Sequence, residues 1–293
     1  MSGIVSYEPA DMTVTVHGDC PMDGLTAALA EQGQWLPIDV ALPARTTVAD
    51  LIGENLSGPL RASQGTVRDY LIGLRWHDRD GTLISSGGRV VKNVAGYDLA
   101  KMHIGARGAF GEIVEATFKV RPKPAHEVTV TFECESRGEA AAAALAVRDL
   151  VEPAWCVVVC DARRTRVMVG VMGSERVVKA QAEAVMGRWQ GTREEDGALV
   201  RANLGTAPTG SAGRVRTTAM LPREVGDYLD STNGSPAASM VLADVMSGVV
   251  TVFSAPDDSA SAESPKPTES PESVVGRLRG ALDAAFSICR PND

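Results

Sequence analysis

The chain has no uninterrupted apolar stretch near the ~18 residues that a membrane-crossing helix needs. Its start, MSGIVSYEPADMTV, lacks the basic region and apolar core of a secretory leader. No transmembrane segment is expected, and the cytoplasm is the expected compartment. A basic excess is missing too: 29 Lys and Arg against 37 Asp and Glu leave a net charge of -8 and a pI near 5.2. Nucleic acid is therefore not an expected partner, because phosphate binding needs clustered cations on one face. Cysteine is sparse and odd in number (Cys20, Cys134, Cys156, Cys160, Cys289), a poor disulfide framework, so reduced thiols are expected. Cys156 and Cys160, four apart in WCVVVC, share one face of a buried strand. A metal site there needs further ligands, and the nearby sequence offers none.

What is present suffices for two domains: 293 residues, 44% of them hydrophobic. The alternation in MTVTVH predicts a half-buried strand, and Leu25, Ala28 and Leu29 at helical spacing predict a helix over 22–32 that Gly33 stops. The segment TTVADLIGENLSGPLRASQGTVRD, with recurring glycines and small polar residues, reads as loop with at most one short helix. Asp80-Gly81 marks a hairpin turn between strands over 70–75 and 82–85, and a strand runs from Ile113 to Val120. Pro122 and Pro124 cannot continue a sheet ladder and mark a domain boundary.

Beyond that boundary EVTVTFEC alternates as a strand, 139–151 is helical, WCVVVCDA and RVMVGVMG are strands, and 175–190 is helical again. This β-α-β-β-α order predicts a ferredoxin-like α+β domain, with RVRTTAML and VLADVMSGVVTVFS supplying further strands. The stretch APDDSASAESPKPTESPES is rich in Pro, Ser and acids and reads as a disordered linker. A last helix over 274–293 places Val274, Leu278, Leu282 and Ala285 on one face.

The run GGRVVKNVAGYDLAKMHIGARGAFGEIVEATFKVRPKP resembles the signature of the FAD-binding subunit of bacterial glycolate oxidase, a p-cresol methylhydroxylase-type (PCMH-type) flavoprotein. The similarity extends from Tyr7 to Ala125, through YEPADMTVTV, EQGQWLPID and LSGPLRASQGTVRDYLIGLR. The resemblance implies FAD as cofactor. It implies flavin and adenine contacts at Gly88, Lys92, Asn93, Gly96, Tyr97, Asp98, Gly111 and Ile113, and a second flavin-facing loop at Asn55, Ser57, Gly58 and Gly65. Each residue also has a plain structural reading: glycines serve turns, Tyr97 serves a core, and Lys92 with Asp98 forms a surface pair. The implied fold class is α+β: a truncated PCMH-type FAD-binding domain over 1–125, a ferredoxin-like domain over 126–254, a linker over 255–273 and a C-terminal helix over 274–293.

Two departures bear on the cofactor. A complete member begins with a further lobe carrying a glycine-rich diphosphate loop, and this sequence starts at the strand after it. In TTVADLIGE, where the family has a TxGG turn, Ala49 and Asp50 replace both glycines. On the family's loop path, a left-handed Ala or Asp costs roughly 1–2 kcal/mol. A carboxylate ~4 Å from a diphosphate charge adds up to ~4 kcal/mol of repulsion at an effective dielectric of ~20. Either the loop takes another path or FAD does not bind. A degenerate paralogue and a start site placed too late are both open, and the internal change at Asp50 favours the former. Ala106, Arg107, Glu112 and Ala284 also depart from the family's preferences.

Oxidising a 2-hydroxy acid needs a base and a cation for the carboxylate, usually His and Arg. The histidines are His17, His77, His103 and His126; His103 lies in the signature run, but at a position the family fills with an apolar residue. No catalytic residue is assigned. The resemblance implies a substrate site on a sister flavin subunit and electron transfer to an iron–sulfur subunit, with which the chain would sit in the cytoplasm or at the inner face of the membrane. The implied function is an FAD-binding subunit of a glycolate (2-hydroxy acid) oxidase complex, or a non-catalytic subunit of one that no longer binds FAD.

Overall fold

The computed structural model describes residues 3–40, 42–88, 98–161, 164–194, 197, 201, 204, 214–232 and 238–254. The expected linker over 255–273 and the helix over 274–293 lie outside them. The chain divides between Lys123 and Pro124 into two compact units.

In the first unit, β1 (Ile4–Glu8) pairs antiparallel with β2 (Thr13–His17), the alternating Thr-Val strand, whose Val14 and Val16 are buried. Helix α1 (Met22–Ala30) buries Met22, Leu25 and Leu29 on one stripe and ends short of the expected Gln32, in a turn that closes at Gly33 with φ +64°. A two-residue strand β3 (Gln34–Trp35) follows.

The stretch expected to be mostly loop instead folds into three short helices: α2 (Val48–Gly53), α3 (Arg61–Gln64) and α4 (Val67–Tyr70). The reason is local. Thr47 and Asp50 form a reciprocal capping box at the head of α2, and Thr66 and Asp69 form another at the head of α4. Helices of four to six residues have little stability of their own; Val48, Leu51, Ile52, Val67 and Tyr70 hold these two against the core.

Strands β4 (Leu71–His77) and β5 (Leu83–Gly87) form the expected hairpin, with Gly81 at φ +79° in its turn. A 3-10 turn (Leu99–His103), β6 (Glu112–Lys119) and β7 (Arg121–Pro122) complete the unit. The five-stranded sheet runs β1-β2-β6-β4-β5, and β3 pairs with β7 apart from it.

In the second unit, β8 (His126–Cys134), α5 (Arg137–Leu150), β9 (Trp155–Asp161), β10 (Thr165–Gly173), α6 (Glu175–Trp189) and β11 (Thr192–Glu194) lie in the spatial order β11-β8-β10-β9. Fourth, first, third, second is the strand order of a ferredoxin-like unit. Strands β13 (Ala238–Asp244), β14 (Val249–Ser254) and β12 (Arg214–Ala219) extend it to seven antiparallel strands, and α7 (Val225–Ser231) packs against α5. The sequence pattern does not announce β1, β3, β7, β11 or α7, and Pro122 lies in β7, paired with Gln34 at the end of a two-residue strand.

Cys156 and Cys160 both face the helix-covered core of this sheet, with Val158 between them in the strand and on the same face. Burial pushes the Cys156 thiol well above its ordinary range, raises that of Cys160, and lifts Cys134 to about 11. Unfolded thiols ionise near 9.0 while the folded ones stay neutral, so above that pH the folded chain holds more protons. Stability must therefore fall as pH rises through that window. Urea unfolding between about pH 8 and about pH 10 should show the midpoint dropping, with a shallower drop in a Cys156→Ala, Cys160→Ala variant.

Candidate functional site

The turn His17–Gly18–Asp19, which leaves β2 for α1, is the joint of the site. The Gly18 N–H donates to the Val114 carbonyl of β6 at 2.8 Å, and its own carbonyl accepts from the Ala49 N–H at 2.8 Å. The next link is the Cys20 carbonyl, which accepts from the Val48 N–H at 3.0 Å. Sheet and α2 are thus stitched through one turn. A side chain at Gly18 would place Cβ 2.1 Å from the Ile113 carbonyl oxygen, so only glycine permits this approach.

The loop after the 3-10 turn closes the far side. Gly105 and Arg107 donate backbone N–H groups to the Ile52 and Gly53 carbonyls at 3.0 and 2.9 Å, covering the C-terminal end of α2. Arg107 is held at φ +48°, a left-handed backbone that favours glycine or asparagine. Gly111, at φ +119°, crosses the end of β4 so tightly that a Cβ there would stand 1.9 Å from the His77 carbonyl oxygen.

Between these pieces lies a cleft of about 880 Å³, within the roughly 300–1,000 Å³ usual for small-molecule sites. Gly53, Gly108, Gly111, Ala49, Ile113 and Val114 give it small or apolar walls. Its charged lining is Asp19, Asp50, Glu54 and Glu112 against Arg107, with His17 and His77 beside them. His103 does not line it; it is buried, 4.6 Å from Trp76 and 5.7 Å from Phe110 between ring centroids, and burial lowers its pKa. His126 opens β8 in the second unit, exposed to solvent.

Asp50 carries the main revision. Ala49 and Asp50 lie in right-handed helix, not in a left-handed turn, so the strain expected of them does not arise. The Asp50 carboxylate is folded back: its Oδ2 accepts from the Thr47 N–H at 2.9 Å and from the Thr47 hydroxyl at 2.8 Å, while the Asp50 N–H donates to Thr47 Oγ1 at 3.1 Å. With Val48 and Ala49 bound to Cys20 and Gly18, every backbone N–H from Thr47 to Asp50 is satisfied within the protein.

Of the residues expected from sequence, Gly111 and Ile113 line the cleft. Asn55, Ser57, Gly58 and Gly65 do not: Ser57 accepts from Arg61 Nη1 at 3.1 Å, Gly58 backs onto Asp39, and Gly65 follows α3. Gly88 donates its N–H to Ile72 beyond β5, and Asp98 is an exposed residue at the head of the 3-10 turn. Lys92, Asn93, Gly96 and Tyr97 lie outside the described residues. Sequence reasoning noticed Arg107 and Glu112 as departures without placing them, and missed Gly18; the Thr47-x-x-Asp50 spacing was the legible sign of the cap.

A family model described as FAD binding domain matches residues 1–87. Outside the structure, the chain is similar to glycolate oxidase subunit GlcE of Escherichia coli, 35% identical over 132 residues, which are 45% of this chain and 38% of that protein. It is also similar to glycolate oxidase subunit GlcD of Bacillus subtilis, 32% identical over 151 residues, 52% of this chain and 32% of that one. The match thus spans about a third of the length of these relatives. Among solved structures, an alkyldihydroxyacetonephosphate synthase superposes with a TM-score of 0.62 at 14% identity, over 85% of this chain and 56% of that one. The Bermuda grass isoallergen BG60 does so with 0.64 at 14%, over 97% and 65%. These likenesses show the mixed α/β fold alone. No helix among the described residues is long and apolar enough to cross a membrane.

FAD would fit this cleft unevenly along its length. The small and apolar residues of the lining leave room for a flat ring, whereas the backbone N–H groups at the head of α2 are already taken and Asp50 stands among them. The cap itself is testable: Thr47→Ala removes both its donor and its acceptor and should lower stability by about 1 kcal/mol in urea unfolding. No loss would mean that the Thr47 hydroxyl does not hold the helix end closed.

Proposed function

We propose that this chain is an FAD-binding subunit of a glycolate (2-hydroxy acid) oxidase or dehydrogenase complex, working in the cytoplasm or at the inner face of the membrane. The observation that carries the reading is the cleft, built by residues on both sides of position 87, in a first unit whose opening residues match an FAD binding domain and whose relatives are glycolate oxidase subunits. The residues positioned to hold the ring are Gly53, Gly108, Gly111 and Ile113. When bound, FAD would supply the acceptor for the electron pair of a 2-hydroxy acid. The chain's own part is to hold the ring against backbone and to exclude water from one of its faces.

The cleft lining assigns neither a catalytic base nor a carboxylate clamp. Arg107 is the only Arg or Lys lining the cleft among the described residues, and it faces four carboxylates there. A sister flavin subunit would bring the substrate site, and an iron–sulfur subunit would take the electrons onward.

A second reading, a non-catalytic subunit that keeps the fold and has lost the flavin, draws support from the satisfied amides of Thr47 to Asp50 and the carboxylates in the cleft lining. One purification separates the two. The full chain, expressed with its complex, should carry visible flavin absorption after the subunits are separated, and glycolate should bleach it only when the sister subunit is present. A colourless chain that still co-purifies with its partners would establish the second reading instead.

A further inference from the structure

The cleft residues Arg107, Gly108 and Gly111 close a run of tight turns that begins at Asp98. The backbone N–H of Lys101 donates to the Asp98 carbonyl, Ile104 to Lys101, Ala106 to His103, Ala109 to Ala106 and Gly111 to Gly108. Turns of this kind fix their own shape but not their place in the molecule. Packing holds the 3-10 turn only in part: Ala100 and His103 are buried, whereas Leu99 and Met102 are 40% and 50% exposed. Lys101 supplies a further tie. Its Nζ donates to the Arg68 carbonyl in the last turn of α4 and to the Leu71 carbonyl that opens β4. The Arg68 carbonyl has no later helical N–H to satisfy it, and a lysine is a suitable donor at such a helix end. The Lys101 side chain is half-buried, and burial lowers its pKa. None of Lys101, Arg68 and Leu71 lines the cleft.

We propose that Lys101 is a positioning residue for the flavin site: by tying the 3-10 turn to the junction of α4 and β4, it fixes where Arg107, Gly108 and Gly111 stand in the cleft. The proposal rests on the flavin reading and adds a residue that acts on the cofactor without touching it. The following loop needs such support. Arg107 holds a left-handed backbone at φ +48°, and that conformation persists only where the surroundings over-determine it. The Gly105 and Arg107 N–H bonds to the Ile52 and Gly53 carbonyls anchor the loop to α2, and Lys101 anchors the turn before it to α4 and β4.

The test combines amide hydrogen exchange with FAD titration of the full chain as wild type, Lys101→Met and Lys101→Arg. Methionine keeps an unbranched side chain and removes the donors, whereas arginine can still bond two carbonyls. In the free protein, Lys101→Met should speed exchange at Gly105 and Arg107 by on the order of tenfold and leave the β6 amides of Ala116, Thr117 and Phe118 as they were. That contrast separates a loosened wall from a general loss of stability. FAD affinity should also fall by on the order of tenfold, because a wall no longer held in place must be ordered at the moment of binding. Lys101→Arg should bring both readouts back close to wild type. Unchanged exchange at residues 105 and 107 in Lys101→Met, an equal rise throughout β6, or FAD binding as tight as in wild type would each overturn the proposal and leave the flavin reading in place. A wild-type chain that binds no FAD would instead sink the flavin reading, and the role of Lys101 toward the cofactor with it.

Discussion

The reciprocal hydrogen bonds between Thr47 and Asp50 fix more of this molecule than their size suggests. They turn a segment of small polar residues into the first turn of α2, and that turn presents Val48, Leu51 and Ile52 to the core. The same turn presents Val48 and Ala49 N–H groups to the β2–α1 corner, where Gly18 bonds in turn to β6. Opening the cap would free donors at the cleft edge and loosen the link between helix and sheet together. Packing and the hydrogen bonding of the helix head are therefore set by one local structure.

The charge pattern follows from the same arrangement. Asp50 is occupied as a cap, yet it still lines the cleft, so its negative charge remains part of the field a ligand meets. Asp19, Glu54 and Glu112 come to the same space from the β2–α1 turn, the end of α2 and the start of β6. Arg107, held in a left-handed backbone that a non-glycine residue disfavours, is the opposing charge among the described lining residues. Residues held in such conformations persist where the surroundings over-determine them, here through the bond from its N–H to Gly53.

Much of the fold was legible because its longer elements carry a period. The Thr-Val alternation gave β2, the Leu25–Leu29 stripe gave α1, Asp80-Gly81 gave the β4–β5 hairpin, and β8, α5, β9, β10 and α6 followed from alternation and helical spacing. Of the three helices between Val48 and Tyr70 at most one was expected, since four to six residues are too few to show a period; Thr-x-x-Asp caps betray α2 and α4, and α3 has no such cap. The site was less legible still. A resemblance assigns roles along the sequence, whereas the cleft gathers His17–Asp19, Thr47–Glu54, His77 and Arg107–Val114 through hydrogen bonds no linear pattern reveals. Hence Gly111 and Ile113 were placed there while Gly18 was missed, and Asp50 was expected to strain a loop that is in fact a helix.

Amide hydrogen exchange at residues 47 to 50 probes the claim that these donors are already spent. The account predicts slow exchange at all four in the free protein, unchanged when saturating FAD is added. Fast exchange in the free protein, slowed on adding FAD, would show amides waiting for a phosphate and would contradict it.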